Sequence, residues 1–184
     1  MYAAFLDSCV LVPNVLCDTL LRLAERNFFR PLWSDRVLDE VKYSIHKIHP
    51  DIPEKQIQNR FRMMNSAFED ALIIDWESIS AGLDLPDDDD RHVLAAAIKG
   101  AAQSLITFNL KDFPIDKLEH FGIEPIHPDE FLLNQLDLSP SLVLQTLTNQ
   151  AKDLLKPKMD VVEILNHLER VGAPQFSDAM RLLI

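Results

Sequence analysis

Short apolar runs alternating with amphipathic stretches constrain the fold of this chain more than any other feature. Tyr2–Leu6, Leu72–Ile74, Leu105–Phe108 and Ile123–Ile126 are too short for helices and read as strands buried in a sheet. Between them, apolar residues recur with a helical period. After Pro13, Asn14–Asn27 sets Val15, Leu16, Thr19, Leu20 and Leu23 on one face. Ser34 is a suitable N-cap for a helix to about Lys47, whose inner face carries Val37, Leu38, Val41 and Ile45. Further helices are expected over Pro53–Phe68, Trp76–Ala81 and Asp90–Ala101, while Pro31-Leu32-Trp33 reads as a brief extended connection. Strands that each return through a helix pair in parallel, which makes this part of the chain an α/β sandwich around a parallel sheet.

From Pro128 the texture changes. Asp129–Leu136, Pro140–Leu155, Met159–Val171 and Gln175–Leu183 all look helical, with Pro140, Pro157 and Pro174 as punctuation and no strand candidate between them. The expected organisation is an α/β domain over residues 1–127 followed by an all-helical extension over 128–184. A chain of 184 residues with 47% hydrophobic residues can bury a core of that size. No apolar run reaches the roughly 18–20 residues that a membrane span needs, and the first residues lack the features of a secretory signal. Cys9 and Cys17 fit neither a CxxC nor a zinc pattern, so a cytoplasmic protein with two reduced thiols is expected.

The acidic residues carry the chemistry. Asp7 closes the first strand, Glu40 lies beside Val41 near the edge of a helix's apolar face, and Asp90 opens the helix that follows the Asp87–Asp90 run. Asp112 follows the strand Leu105–Phe108. In parallel sheets, sites form beyond the carboxyl ends of the strands. Carboxylates gathered there repel one another unless a hard divalent cation neutralises them, and oxygen ligands suit Mg²⁺ or Mn²⁺. This pattern points to metal-dependent phosphodiester chemistry. The net charge of −11 looks adverse for a nucleic-acid enzyme, yet it is unevenly spread. Arg22–Arg62 holds nine Lys and Arg against six Asp and Glu, whereas Met63–His127 holds four against thirteen.

Four segments resemble the PIN-domain nucleases, and in particular the toxins of VapBC toxin–antitoxin modules. They are Phe5-Leu6-Asp7-Ser8, the stretch Leu32–Val41 with Glu40, the stretch Pro86–Ala97 with Asp90, and Thr107-Phe108-Asn109-Leu110-Lys111-Asp112-Phe113-Pro114. The resemblance runs over roughly residues 1–127, and the helical tail resembles an extension found in one subgroup of these toxins. It implies a PIN-like three-layer sandwich and a type II toxin that hydrolyses RNA with metal-activated water. Asp7, Glu40, Asp90 and Asp112 would hold Mg²⁺ or Mn²⁺, with Asp7 and Asp90 as direct ligands. Ser8, Thr107, Asn109 and Asp89 would orient ligands or substrate. Single-stranded or structured RNA, a VapB-like antitoxin and a second copy of the chain are the implied partners.

Other readings fit less well. The run of four aspartates leaves Asp87 and Asp89 beside Asp90 as claimants to the third position. An N-cap and first-turn dipole complement would account for the same run. His92, next to it, is a candidate substrate contact, while His46 and His49 read as surface residues. A phosphatase with an aspartyl nucleophile needs an acid two residues after Asp7, where Cys9 stands. A phosphorelay receiver would use Asp75 but lacks paired acids at the first strand. A catalytically silent PIN-like scaffold binding RNA or protein is the non-enzymatic alternative; the presence of all four acids weighs against it.

Overall fold

The computed structural model describes residues 1–155 and 157–184. Ala3–Leu6 forms β1, a strand with every residue buried. It pairs in parallel with β2 (Arg30–Ser34) on one side and β4 (Ser104–Ile106) on the other. β3 (Leu72–Ile73) and β5 (Glu124–Ile126) complete a five-stranded parallel sheet in the order β3-β2-β1-β4-β5. Helices α1 (Ser8–Leu11) and α2 (Asn14–Glu25) join β1 to β2, and α3 (Asp35–Ile48) and α4 (Glu54–Ala67) join β2 to β3. Return across the sheet runs through α5 (Glu77–Ser80) and α6 (Arg91–Lys99), and α7 (Ile115–Leu118) precedes β5. The first two crossovers step one way along the sheet and the later two step the other way. Right-handed connections then place α2 and α3 on one face and α6 and α7 on the opposite face, which makes three layers. The order in which strands are added reverses between β1 and β4, so a crevice opens at their carboxyl ends.

Two expectations need correction. Pro31-Leu32-Trp33 is not a connection but the middle of β2, inside the sheet. Proline normally avoids such a place because it has no N–H to donate. Here Arg30 N donates to Tyr2 O toward β1, and Trp33 N donates to Ala71 O on the other side, so Pro31 faces the β3 side. β3 pairs only with Trp33 and Ser34, and at Pro31 no strand waits for the missing donor. Leu72–Ile73, expected in the core, is instead a half-buried edge strand. Elsewhere local signals act as expected: Ser34 Oγ accepts from Val37 N at 3.1 Å and caps α3. Trp33 is fully buried, its Nε1 donates to Asn65 Oδ1 at 2.9 Å, and Phe68 meets it edge-on at 6.0 Å.

Among its described residues the extension is built from helices, apart from an isolated bridge between Leu155 and Lys158: α8 (Pro128–Leu138), α9 (Pro140–Asp153), α10 (Val161–Arg170) and α11 (Pro174–Arg181). α9 and α10 pack on α2, which therefore has neighbours on both sides and buries Leu16, Leu20 and Leu23 completely. Each such leucine contributes roughly 1.5–3 kcal/mol on leaving water. Polar ties fix the interface: Thr19 Oγ1 donates to Gln150 Oε1 at 2.9 Å, and Gln150 Nε2 donates to Val15 O at 3.2 Å. Phe29 and Phe131 meet edge-on at 4.9 Å. Within the extension, the buried Asp129 accepts from Gln175 N and Phe176 N at 3.1 and 2.8 Å and so caps the start of α11. Gly172 has φ +111°, and a Cβ there would lie 2.7 Å from the Phe108 ring. Among the described residues, no helix is long and apolar enough to cross a membrane.

Candidate active site

Asp7 ends β1 and is the N-cap of α1, so its carboxylate sits at the mouth of the crevice. It is only 7% exposed, and both oxygens are held. Oδ1 accepts from Ser8 N at 2.6 Å and Oδ2 accepts from Thr107 Oγ1 at 2.7 Å. Thr107, fully buried just past β4, also accepts from Asn109 N at 3.0 Å through Oγ1. Asp7 N donates to Ile106 O at 3.1 Å, which ties the two strand ends together. Charge-assisted bonds of this kind fix the orientation of a carboxylate before any ligand arrives. Cys9 Sγ lies 3.2 Å from Asp7 Oδ2. Burial first and the Asp7 charge second push the Cys9 thiol up to about 12.

Asp90 arrives from the opposite face of the sheet. A 3₁₀ turn, Asp88–Asp90, leads into α6, whose Ala95, Ala96 and Ala97 are all buried. The acidic run divides its labour. Asp87 caps the turn by accepting from Asp89 N at 2.9 Å, Asp88 pairs with Arg91 at 2.5 Å, and Asp89 is exposed. Asp90 is pushed up to about 6, first by burial and then by the negative charges of Asp7, Asp87 and Asp112, with His92 pulling the other way. Asp112 ends a second 3₁₀ turn, Leu110–Asp112, and accepts a hydrogen bond from Asn109 Nδ2.

Glu40 completes the group from α3. Its Oε1 lies 2.8 Å from His92 Nε2 and 3.7 Å from Arg36 Nε. Burial opposes its charge, yet the bond and charge of His92, with Ser8 and Arg36, hold its carboxyl below the usual range. The structure thus brings Asp7, Ser8, Glu40, Asp90, Thr107, Asn109 and Asp112 together through the contacts above, while Asp89 is exposed. His92 is no exposed substrate contact: it is 8% exposed and turned toward Glu40. Position 92 lies three and four residues before the buried Ala95 and Ala96 on α6, and its partner on α3 left no mark in the sequence. Cys9 also escaped notice as a member of the Asp7 network, since a lone cysteine carries no pattern.

Among the described residues, no three His, Cys, Asp or Glu side chains converge tightly enough to ligate one ion as they stand. The donor set nonetheless fits a hard cation. Its groups are carboxylate oxygens, and Asp90 resists ionising first because it is partly buried and then because the charges of Asp7, Asp87 and Asp112 act on it. A cavity of about 1100 Å³ lies elsewhere, lined by residues of α2, α3 and α4.

Comparisons with known proteins agree with this geometry. Residues 3–111 match the PIN domain family, a span that includes Asp7, Glu40 and Asp90 and stops just short of Asp112. Residues 128–182 match the VapC50 C-terminal domain. Over 95 residues the chain is 40% identical to a Mycobacterium tuberculosis protein named "Putative ribonuclease VapC50". That match covers 51% of this chain and 55% of the relative, so the chain spans about half the length of the curated relative it matches. No solved structure matches the chain. With the PIN match covering more than half of its length and the parallel sheet in place, the chain belongs to the PIN-domain family and carries a helical extension similar to the VapC50 C-terminal domain.

Proposed function

We propose that this protein is a divalent-metal-dependent endoribonuclease acting as the toxin of a type II toxin–antitoxin system. The observation that carries the reading is the approach of Asp7, just past β1, to Asp90, just before α6, and to Asp112, at the point where the strand order reverses. Structural economy does not favour packing like charges in a half-buried crevice; a cation and a phosphate do. Asp7 and Asp90 hold Mg²⁺ or Mn²⁺ directly, and Glu40 and Asp112 complete the set. A bound ion of this type supplies an activated water and stabilises charge on the phosphoryl oxygens.

The remaining groups prepare that site. Ser8 N and the Thr107 hydroxyl hold Asp7 in one orientation. Asn109 does the same for Asp112, and its own N–H rests on Thr107, so one loop sets two carboxylates. Asp89, exposed at the rim, meets the substrate or the hydration shell. Single-stranded or structured RNA reaches the crevice along the basic stretch between Arg22 and Arg62, where Lys47, Lys55 and Arg62 are exposed. A VapB-like antitoxin and a second copy of the chain are the partners this reading implies, with residues 1–127 as the nuclease domain and 128–184 as its extension.

The test is cleavage of a mixed pool of single-stranded and transfer RNA, with and without Mn²⁺ or Mg²⁺, by wild type and Asp7→Asn. Metal-dependent cleavage that disappears in Asp7→Asn supports the reading. RNA binding without cleavage or metal uptake would replace it with the silent scaffold.

A further inference from the structure

His92 is buried, and its surroundings leave it little freedom. Its ring tilts against Trp76 with centroids 5.7 Å apart and planes at 50°. Trp76 is itself anchored, because its Nε1 donates to Asp35 Oδ1 at 2.9 Å at the start of α3. Position 92 also belongs to α6, which packs on β2 and β4. Three elements therefore fix where the imidazole points.

Packing alone does not explain a histidine here. Nδ1 is buried with no hydrogen-bond partner among the described residues. A buried polar atom left unpaired costs on the order of 1–3 kcal/mol, and an aliphatic side chain would avoid that cost. The compensating contact is the one at Nε2, and it goes to Glu40. Glu40 needs such a contact. Its side chain is 32% exposed, and its cationic neighbour Arg36 is 59% exposed and 3.7 Å away, a surface pair of little strength. A glutamate on the outer part of a helix samples several rotamers, and holding one of them requires a rigid partner.

We propose that His92 is a positioning residue that fixes the Glu40 carboxylate at the acidic crevice, so that Glu40 meets the divalent cation in a preset orientation. The proposal rests on the nuclease reading for the identity of that ligand. His92 touches neither substrate nor metal; it acts through Glu40.

Mn²⁺ binding to the full chain, followed by calorimetry, tests this in wild type, His92→Phe, His92→Gln, Glu40→Gln and the Glu40→Gln/His92→Phe double variant. Phenylalanine keeps the ring volume without the donor, and glutamine places an N–H donor near the position of Nε2. The expected result is Mn²⁺ affinity weakened about 10- to 100-fold by His92→Phe and largely recovered by His92→Gln. The double variant should bind no more weakly than Glu40→Gln, because His92 has nothing left to position. Wild-type affinity in His92→Phe, or equal losses in the Phe and Gln variants, overturns the proposal. If His92→Phe fails to fold, ¹⁵N-histidine spectra of wild type and Glu40→Ala decide: the His92 Nε2 resonance should move, and an unmoved signal overturns the contact itself. Wild type that binds no Mn²⁺ overturns the nuclease reading together with this one. Wild type that binds it while His92→Phe is unaffected overturns this one alone.

Discussion

The crevice and the helical extension each bury an aspartate at a helix start, and the two differ in what surrounds them. Asp129 is 3% exposed and spends its carboxylate on Gln175 N and Phe176 N, with a helix dipole as its counter-charge. Asp7 is 7% exposed and is also hydrogen-bonded, but it stands near enough to Asp90 to raise that carboxyl. One aspartate is electrostatically finished, while the other belongs to a group that is not. The contrast teaches how to separate a structural carboxylate from a functional one when burial and hydrogen bonding look alike: the charge left uncompensated around it decides.

Substitutions sharpen this contrast, and the largest effect is expected at the crevice. Asp7→Asn should keep the Ser8 N and Thr107 contacts, so the chain stays folded, while metal-dependent RNA cleavage falls by more than about 100-fold. The check is a cleavage rate beside a thermal melt. Asp129→Ala should do the reverse, lowering stability by about 2–3 kcal/mol through two stranded N–H groups and leaving the metal affinity of the folded fraction unchanged. Loss of Mn²⁺ binding in fully folded Asp129→Ala would break the contrast. Gln150→Leu, which removes the polar tie between α9 and α2, should cost about 1 kcal/mol in urea unfolding.

Asp90→Asn gives the smallest effect, with a diagnostic sign. The folded pKa of about 6 lies above the ordinary carboxyl value of 3.8, so metal-free protein should lose stability as pH rises from about 4 to above 6, where Asp90 must ionise among like charges. Asp90→Asn should therefore stabilise the metal-free chain by about 1 kcal/mol at neutral pH, after allowance for solvent screening. That gain should vanish near pH 4. Urea melts at both pH values, with and without Mn²⁺, check it, since saturating metal should raise the midpoint of wild type more than that of the variant.

What the sequence made legible follows the range of the interactions involved. The tail helices were legible because proline and apolar spacing act locally, and Pro128, Pro140 and Pro174 each sit in the first turn of their helices. β2 was missed because its tolerance of Pro31 depends on how far β3 extends, a fact about a distant segment. One-turn α1 was hidden because four residues, Ser8–Leu11, are too few to show a helical period. At the crevice, chain position indicated Asp7 and Asp112; Asp90 feels the charges of Asp7, Asp87 and Asp112, while Asp87 also accepts from Asp89 N within its own turn. The Glu40–His92 pair was out of reach, since it joins α3 to α6 across elements that share no local signal.

Thr19 and Gln150 are 131 positions apart, and their bond has a consequence for synthesis. On the ribosome, α2 emerges long before the helices that cover its outer side, so the nascent sheet carries an uncovered apolar flank while much of the chain is still being made. The crevice elements β1, α3, α6 and β4 are all complete before α9 appears. The α2 flank is therefore the last part of the α/β domain to be covered.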